Sequence, residues 1–321
     1  MERSGGVTAS AILVFIGSGL TLLFAVFSVL AFFVVRDIPA QPPFVRYVMA
    51  GIGILEVAFA VWGILSGIGL LRLRRWARIS MLVFSGILLF FTLPVLLIVP
   101  WMHLPAPEGT PGNFALFMKV FLVVCYGIPA AIGGWWLYFF NRRSVKDQFR
   151  GSVAAAETSA ASARPLSITI IGWILVVGAL FVAPFMFLHF PIFFFGYLFD
   201  GVLAHVVGFG WCVVQVVAGV GLLRLKPWGR TLAICALLFG MLSGLASLFV
   251  PGSHARLQQA TALVLDRLGV PHPPGAIQEP VPYWAGLVVG FVIVAVQLWF
   301  IVTRKKAFLS GNETPTQSVG N

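Results

Sequence analysis

Residues 8–35 form a stretch of 28 positions without one charged side chain, closed by Arg36-Asp37. As a helix it would reach ~42 Å at ~1.5 Å per residue, more than the ~30 Å hydrocarbon core of a bilayer requires. A secretory leader has a shorter apolar core and a small-residue cleavage site. Val29-Leu-Ala-Phe-Phe33 supplies no such site, so this segment is expected to be a retained first span. Similar runs recur at about 44–71, 76–99, 114–140, 165–188, 201–223, 228–250 and 283–303, giving eight expected transmembrane helices. Charged residues are 10% of the 321, against about a quarter in soluble domains. Hydrophobic residues are 60%, far more than a water-wetted exterior allows. The fold class expected is all-α integral membrane.

Two of the connections between runs are nearly the same peptide. Gly67-Ile-Gly-Leu-Leu-Arg-Leu-Arg-Arg-Trp-Ala-Arg78 returns 152 residues later as Gly219-Val-Gly-Leu-Leu-Arg-Leu-Lys-Pro-Trp-Gly-Arg230, with eight of twelve positions identical. Each copy ends one apolar run and begins the next, so it reads as a basic turn between two spans. An even number of spans separates the two turns, which puts them on one side of the membrane. The expected arrangement is therefore two parallel four-helix repeats, related by an axis along the membrane normal. Ile16-Gly17 with Ile171-Gly172, and Val99-Pro100 with Val250-Pro251, extend the match.

Charge orients the chain. With both termini cytoplasmic, sixteen of the 21 Lys and Arg fall in inner segments, and five acidic residues balance the five basic ones outside. The net charge of +11 then follows from the positive-inside bias, and nucleic acid is not needed to explain it. The organisation expected is a first repeat over 1–140 and a basic, then Ser/Ala-rich, cytoplasmic linker over 141–164. A second repeat covers 165–303 and a cytoplasmic tail 304–321. Two outer segments stand apart. The loop after the fifth span is crowded with Phe190, Phe193, Phe194, Phe195, Tyr197 and Phe199, which suits an interfacial or shallowly re-entrant loop. Residues 254–268 carry a helical pattern, with Ser253 placed to cap and Gly269 to terminate it. This helix would lie on the outer surface, with a lid as the alternative.

Glu56 is the one acidic residue deep within a span, where carrying a charge costs on the order of 3 kcal/mol by insertion scales. Gly53, Glu56, Ala60, Gly63 and Gly67 share one face of the second span. Adding 152 gives His205, Gly208, Cys212, Gln215 and Gly219 on the sixth. Parallel repeats could turn these two faces toward one another, so Glu56, His205 and Gln215 are the candidate intramembrane polar site. The reading favoured is an interhelical hydrogen bond that fixes register; the alternative is a proton or cation site. The turn residues Arg72, Arg74, Arg75, Arg78, Arg224, Lys226 and Arg230 lie at headgroup depth. They are read first as topology determinants and secondly as contacts to anionic lipid.

Nothing in the sequence carries a familiar catalytic motif, and no cofactor is implied. The histidines His103, His189, His254 and His272 are too scattered to claim a metal site, and Cys125, Cys212 and Cys235 sit inside apolar runs as small hydrophobes. Lys119 can snorkel from the outer end of the fourth span. Pro129 is expected to kink that span. The Gly-x-Gly-Leu-Leu-Arg-Leu-x-x-Trp-x-Arg signature resembles one found in uncharacterised multi-pass bacterial membrane proteins, where it joins two helices. The resemblance implies a bacterial inner-membrane location and no particular activity. The functional expectation is a non-catalytic membrane component, a scaffold or sensor. The alternative is a carrier of a small solute or proton working at the interface of the second and sixth spans.

Overall fold

The computed structural model describes residues 4–36, 43–102, 113–149, 165–186, 190–267 and 283–309. Its helices are α1 (Gly5–Arg36), α2 (Pro43–Leu71), α3 (Arg75–Ile98), α4 (Phe114–Asn141), α5 (Arg143–Gln148), α6 (Leu166–Met186), α7 (Gly201–Leu223), α8 (Pro227–Phe249), α9 (Ser253–Arg267), α10 (Tyr283–Thr303) and α11 (Lys306–Leu309). Among the described residues, eight of them, α1–α4, α6–α8 and α10, are long and apolar enough to cross a membrane. The fold is an all-α polytopic membrane fold. Large apolar side chains stand outward around the bundle, as at Phe117, Val202 and Trp299, which lipid can solvate and water cannot. Pro94 and Pro129 both lie inside continuous helices.

The basic turn explains its own sequence once its bonds are traced. The Arg74 N–H donates to the Gly69 carbonyl at 2.9 Å, and the Leu73 N–H to the Leu70 carbonyl at 3.0 Å. Lys226 with Gly221 and Leu225 with Leu222 repeat those bonds at 2.9 and 3.0 Å. This paired closure satisfies carbonyls that the end of a helix would otherwise leave orphaned. The residue that turns left-handed is usually glycine; here it is Leu73 (φ 51°) and Leu225 (φ 52°). That conformation costs a side-chain-bearing residue ~1–2 kcal/mol. Both leucines pack against the buried clusters of their own halves, which offsets the cost.

The two glycines of each copy serve opposite neighbours. A Cβ on Gly67 would meet the Phe15 ring at 2.9 Å, and one on Gly219 the Gly172 carbonyl oxygen at 2.7 Å, so the first glycine admits the preceding helix. A Cβ on Gly69 would lie 2.6 Å from that of Ala77, and one on Gly221 2.5 Å from the Gly229 Cα, so the second admits the following helix. The motif's last residue closes the fourth span. Arg78 Nε donates to the Phe140 carbonyl at 2.9 Å, and Arg230 Nε to the Ile301 carbonyl at 3.2 Å. A cation at the carboxyl end of a helix also opposes its dipole.

Each half is closed at the end carrying the basic turn. In the first, α5 tucks Val145 and the following Phe149 into a cluster with Val7, Leu70, Met81 and Phe140. The Ser4 N–H, at the start of α1, donates to Gln148 Oε1 at 3.2 Å. In the second half, Phe308 on α11 joins Ile168, Leu222, Ala233 and Ile301. The basic beginning of the expected linker is therefore a docked helix, because Val145 and Phe149 supply an apolar face within it; residues 150–164 lie outside the described residues. The first helices of the halves correspond at an offset of 157, where Ala11, Val14 and Ser18 match Ile168, Ile171 and Leu175, all buried. This corrects the Ile16-Gly17/Ile171-Gly172 pairing. Gly17 faces open space, whereas Gly172 is wedged against Leu223 and Gly219, so the two glycines point to different neighbours.

The halves join through α3, which packs on α6 and α10. Val83, Ile87, Ile174 and Val177 form the joint, and Trp62 meets Trp173 with ring centroids 5.7 Å apart. In the second half, the aromatic segment expected as an interfacial or shallowly re-entrant loop is a β-hairpin, β1 (Ile192–Phe194) and β2 (Tyr197–Phe199), packed on α7 and α8. Its two turn residues, Phe195 (φ 51°) and Gly196 (φ 78°), both have the positive φ that a two-residue hairpin needs. Ser243 Oγ accepts from the Phe195 N–H at 2.9 Å, and the Phe195 ring packs on Phe239 at 5.1 Å. Helix α9 begins one residue earlier than expected and packs on this hairpin. Arg256 Nη1 donates to the Gly196 carbonyl at 3.0 Å and stands over the Tyr197 ring. Gly269 lies outside the described residues.

Candidate functional site around an intramembrane carboxyl

Helix α2 places Glu56 on the same face as Gly53, Ala60, Gly63 and Gly67, and that face turns to α1. A Cβ on Gly53 would touch Val29, Ser28 and Ala25, and one on Gly63 would overlap the Ser18 hydroxyl. The close approach that the glycines permit brings Ser28 to Glu56. Ser28 Oγ donates to Glu56 Oε2 at 2.8 Å. With no water in a hydrocarbon core, such a partner is what a carboxyl needs to be tolerated.

The carboxyl is only half-buried. With Gly17, Ser18, Thr21, Phe59, Pro129 and Trp136 it lines an apolar cavity of about 530 Å³ bounded by α1, α2, α3 and α4. A second cavity, about 470 Å³, lies between α3, α6 and α10, and there Ser167 and Gln297 are the polar residues in an apolar wall.

His205 and Gln215 do not join Glu56. His205 sits one turn into α7, with Nδ1 2.8 Å from the Gly201 carbonyl, beside the helix start where Asp200 Oδ1 accepts the Gly201 N–H at 2.7 Å. Gln215 is half-buried farther along α7. The face they share packs on α6, just as the Glu56 face packs on α1. The reason is steric. A small-residue face admits the nearest backbone, and in each half that belongs to the preceding span. The expected meeting of the second and sixth spans is thereby replaced by two separate pairings.

The basic residues of the turns divide by role. Arg78 and Arg230 are half-buried and engaged with helix-end carbonyls, whereas Arg72, Arg74, Arg75, Arg224 and Lys226 are exposed. Lys119 Nζ reaches the Pro100 carbonyl at 3.3 Å. His254 lies exposed on α9 beside Gln258; His103, His189 and His272 lie outside the described residues. Among the described residues no three His, Cys, Asp or Glu side chains gather where a metal ion could be held.

Sequence reasoning missed the polar groups that matter most to packing. Ser28 is one. Another is the chain in which Trp62 Nε1 donates to Ser80 Oγ at 2.8 Å, with Ser66 Oγ 2.7 Å from Ser80 Oγ, tying α2 to α3. Gln297, buried in α10, is a third. A serine in an apolar span gives no sign of its partner, because the register between two helices is not written in either. Set against protein-family models, curated proteins and solved structures, the chain has no match.

Proposed function

We propose that this chain is a non-catalytic multi-pass component of a bacterial inner membrane, a scaffold or sensor built from two parallel copies of one four-helix unit with both termini cytoplasmic. The observation that carries the non-catalytic reading is the Ser28–Glu56 bond. It gives the one deep carboxyl a packing role on α1 and leaves the histidine and glutamine candidates elsewhere. The duplicated turn supports the two-copy reading, since left-handed leucines and carbonyl-capping arginines recur at equivalent positions. The exposed Arg72, Arg74, Arg75, Arg224 and Lys226 are available to anionic lipid headgroups at the inner face.

The second reading is a carrier of a small solute or proton, and the cavity beside Glu56 favours it. Glu56→Gln separates the two. In a packing role, glutamine still accepts from Ser28, so stability changes by less than ~1 kcal/mol and no pH-dependent property is lost. In a carrier, any pH-dependent tryptophan fluorescence of the reconstituted protein disappears with the titrating carboxyl. Loss of such a signal in Glu56→Gln, with the fold intact, would overturn the packing reading.

A further inference from the structure

Gln297 is buried in α10 without a use that the packing of the helices explains. Its side chain is 7% exposed, yet among the described residues its amide makes no hydrogen bond. Burying such a group unpaired costs ~1–3 kcal/mol. The same residue lines the cavity of about 470 Å³ between α3, α6 and α10.

The position recurs. Phe140 and Ile301, whose carbonyls accept from Arg78 and Arg230, set an offset of 161 between α4 and α10. That offset pairs Gln297 with Trp136, also 7% exposed, whose Nε1 has no partner among the described residues. It pairs Ile293 with Ile132 as well, and each of the four lines the cavity of its own half. The last span of each half thus buries an unpaired N–H donor, one turn before the carbonyl that the arginine holds.

The surroundings of Gln297 define what it can bind. Among the described residues lining this cavity none is charged, and Ser167 is the other polar side chain. The volume falls within the ~300–1,000 Å³ of ligand pockets. Val292 and Val296, also in its wall, stand half exposed on the outer surface of α10, so the cavity opens sideways to the hydrocarbon. Beyond Gln297, the Arg304 N–H donates to the Phe300 carbonyl at 3.3 Å, which carries the winding of α10 on to an exposed arginine. Gln297, Phe300 and Arg304 therefore form one stripe from the cavity toward headgroup depth. A ligand that matches this stripe has an apolar chain, then a neutral acceptor oxygen, then an anion.

We propose that this cavity seats one acyl chain of an ester-linked phospholipid, with the Gln297 amide donating to the ester carbonyl and Arg304 meeting the phosphate. The site differs from the exposed basic turns, which can meet headgroups but hold no chain. It needs neither the scaffold nor the carrier reading to be correct.

The test sets a lipid against its own analogue. The full chain is delipidated in detergent and titrated, under native mass spectrometry, with dioleoyl phosphatidylglycerol or with its ether-linked counterpart, which lacks the ester carbonyls. The parent should bind the ester lipid about three- to tenfold more tightly, the worth of one neutral hydrogen bond. Gln297→Leu and Gln297→Met should bind the two lipids alike. Without lipid, both variants should be at least as stable as the parent, because the unpaired amide is gone. Arg304→Gln should weaken both lipids and keep the ester preference. Phosphatidylglycerol carrying a diazirine on one acyl chain should label Leu93 or Ile174 in the cavity wall on illumination. Equal affinity of the parent for the two lipids would overturn the proposal. So would an ester preference that survives both Gln297 variants, or labelling confined to other parts of the chain.

Discussion

Substituting alanine for Gly221 adds one methyl where α7 and α8 touch most closely. The added Cβ would stand 2.5 Å from the Gly229 Cα and 2.9 Å from the Trp228 ring. The first obstacle is backbone, which no rotamer change removes, and the turn of three residues between α7 and α8 keeps the helices from parting at that end. Overpacking of this kind costs ~1–3 kcal/mol, while alanine regains ~0.8–1 kcal/mol of helix propensity. The expected net loss is ~1–2 kcal/mol. Gly240, on the neighbouring helix α8, meets nothing within 4 Å, so Gly240→Ala keeps the gain without the clash. The assay uses buried Cys212 on α7 as the reporter, in a Cys125→Ser, Cys235→Ser background. Labelling by a thiol-reactive fluorophore during denaturant titration in detergent then follows unfolding of this half. Gly221→Ala should unfold at lower denaturant than the background protein, and Gly240→Ala at equal or higher. Equal midpoints for Gly221→Ala and its background would refute the argument that the motif's second glycine exists for helix approach.

Arg230→Met removes the donor to the Ile301 carbonyl and should cost ~1–2 kcal/mol by the same assay, whereas Arg224→Gln, exposed on the same turn, should leave the midpoint unchanged. Leu225→Val should destabilise by ~1 kcal/mol or more, because a β-branched residue fits the left-handed backbone poorly and fills less of the core; a variant as stable as the parent would contradict the strain argument. Orientation is read by reporter fusions: one after Glu157 should report cytoplasm and one near Gln259 the outside, and reversal of either would refute the topology.

Hydropathy alone located the eight spans, since a helix that must satisfy its backbone in lipid has to be long, apolar and bounded by charge. The observed boundaries at Gly201–Leu223 and Tyr283–Thr303 coincide with the expected ones for that reason. The recurrence of the basic turn was equally plain as text. Its physical content was not. Left-handed leucines, glycines facing opposite neighbours and an arginine closing a helix 62 residues away depend on what lies across the gap, and the gap exists only after packing. The candidate site divides the same way. Composition singled out Glu56, because a lone carboxyl in an apolar span is conspicuous. Its partner Ser28 depended on the rotation and register of α1 against α2. Registers between spans are chosen by small-residue faces competing for the nearest helix, and each half resolved that competition within itself. Tertiary packing therefore separated Glu56 from His205 and Gln215, three residues that sequence arithmetic had placed on one matched face.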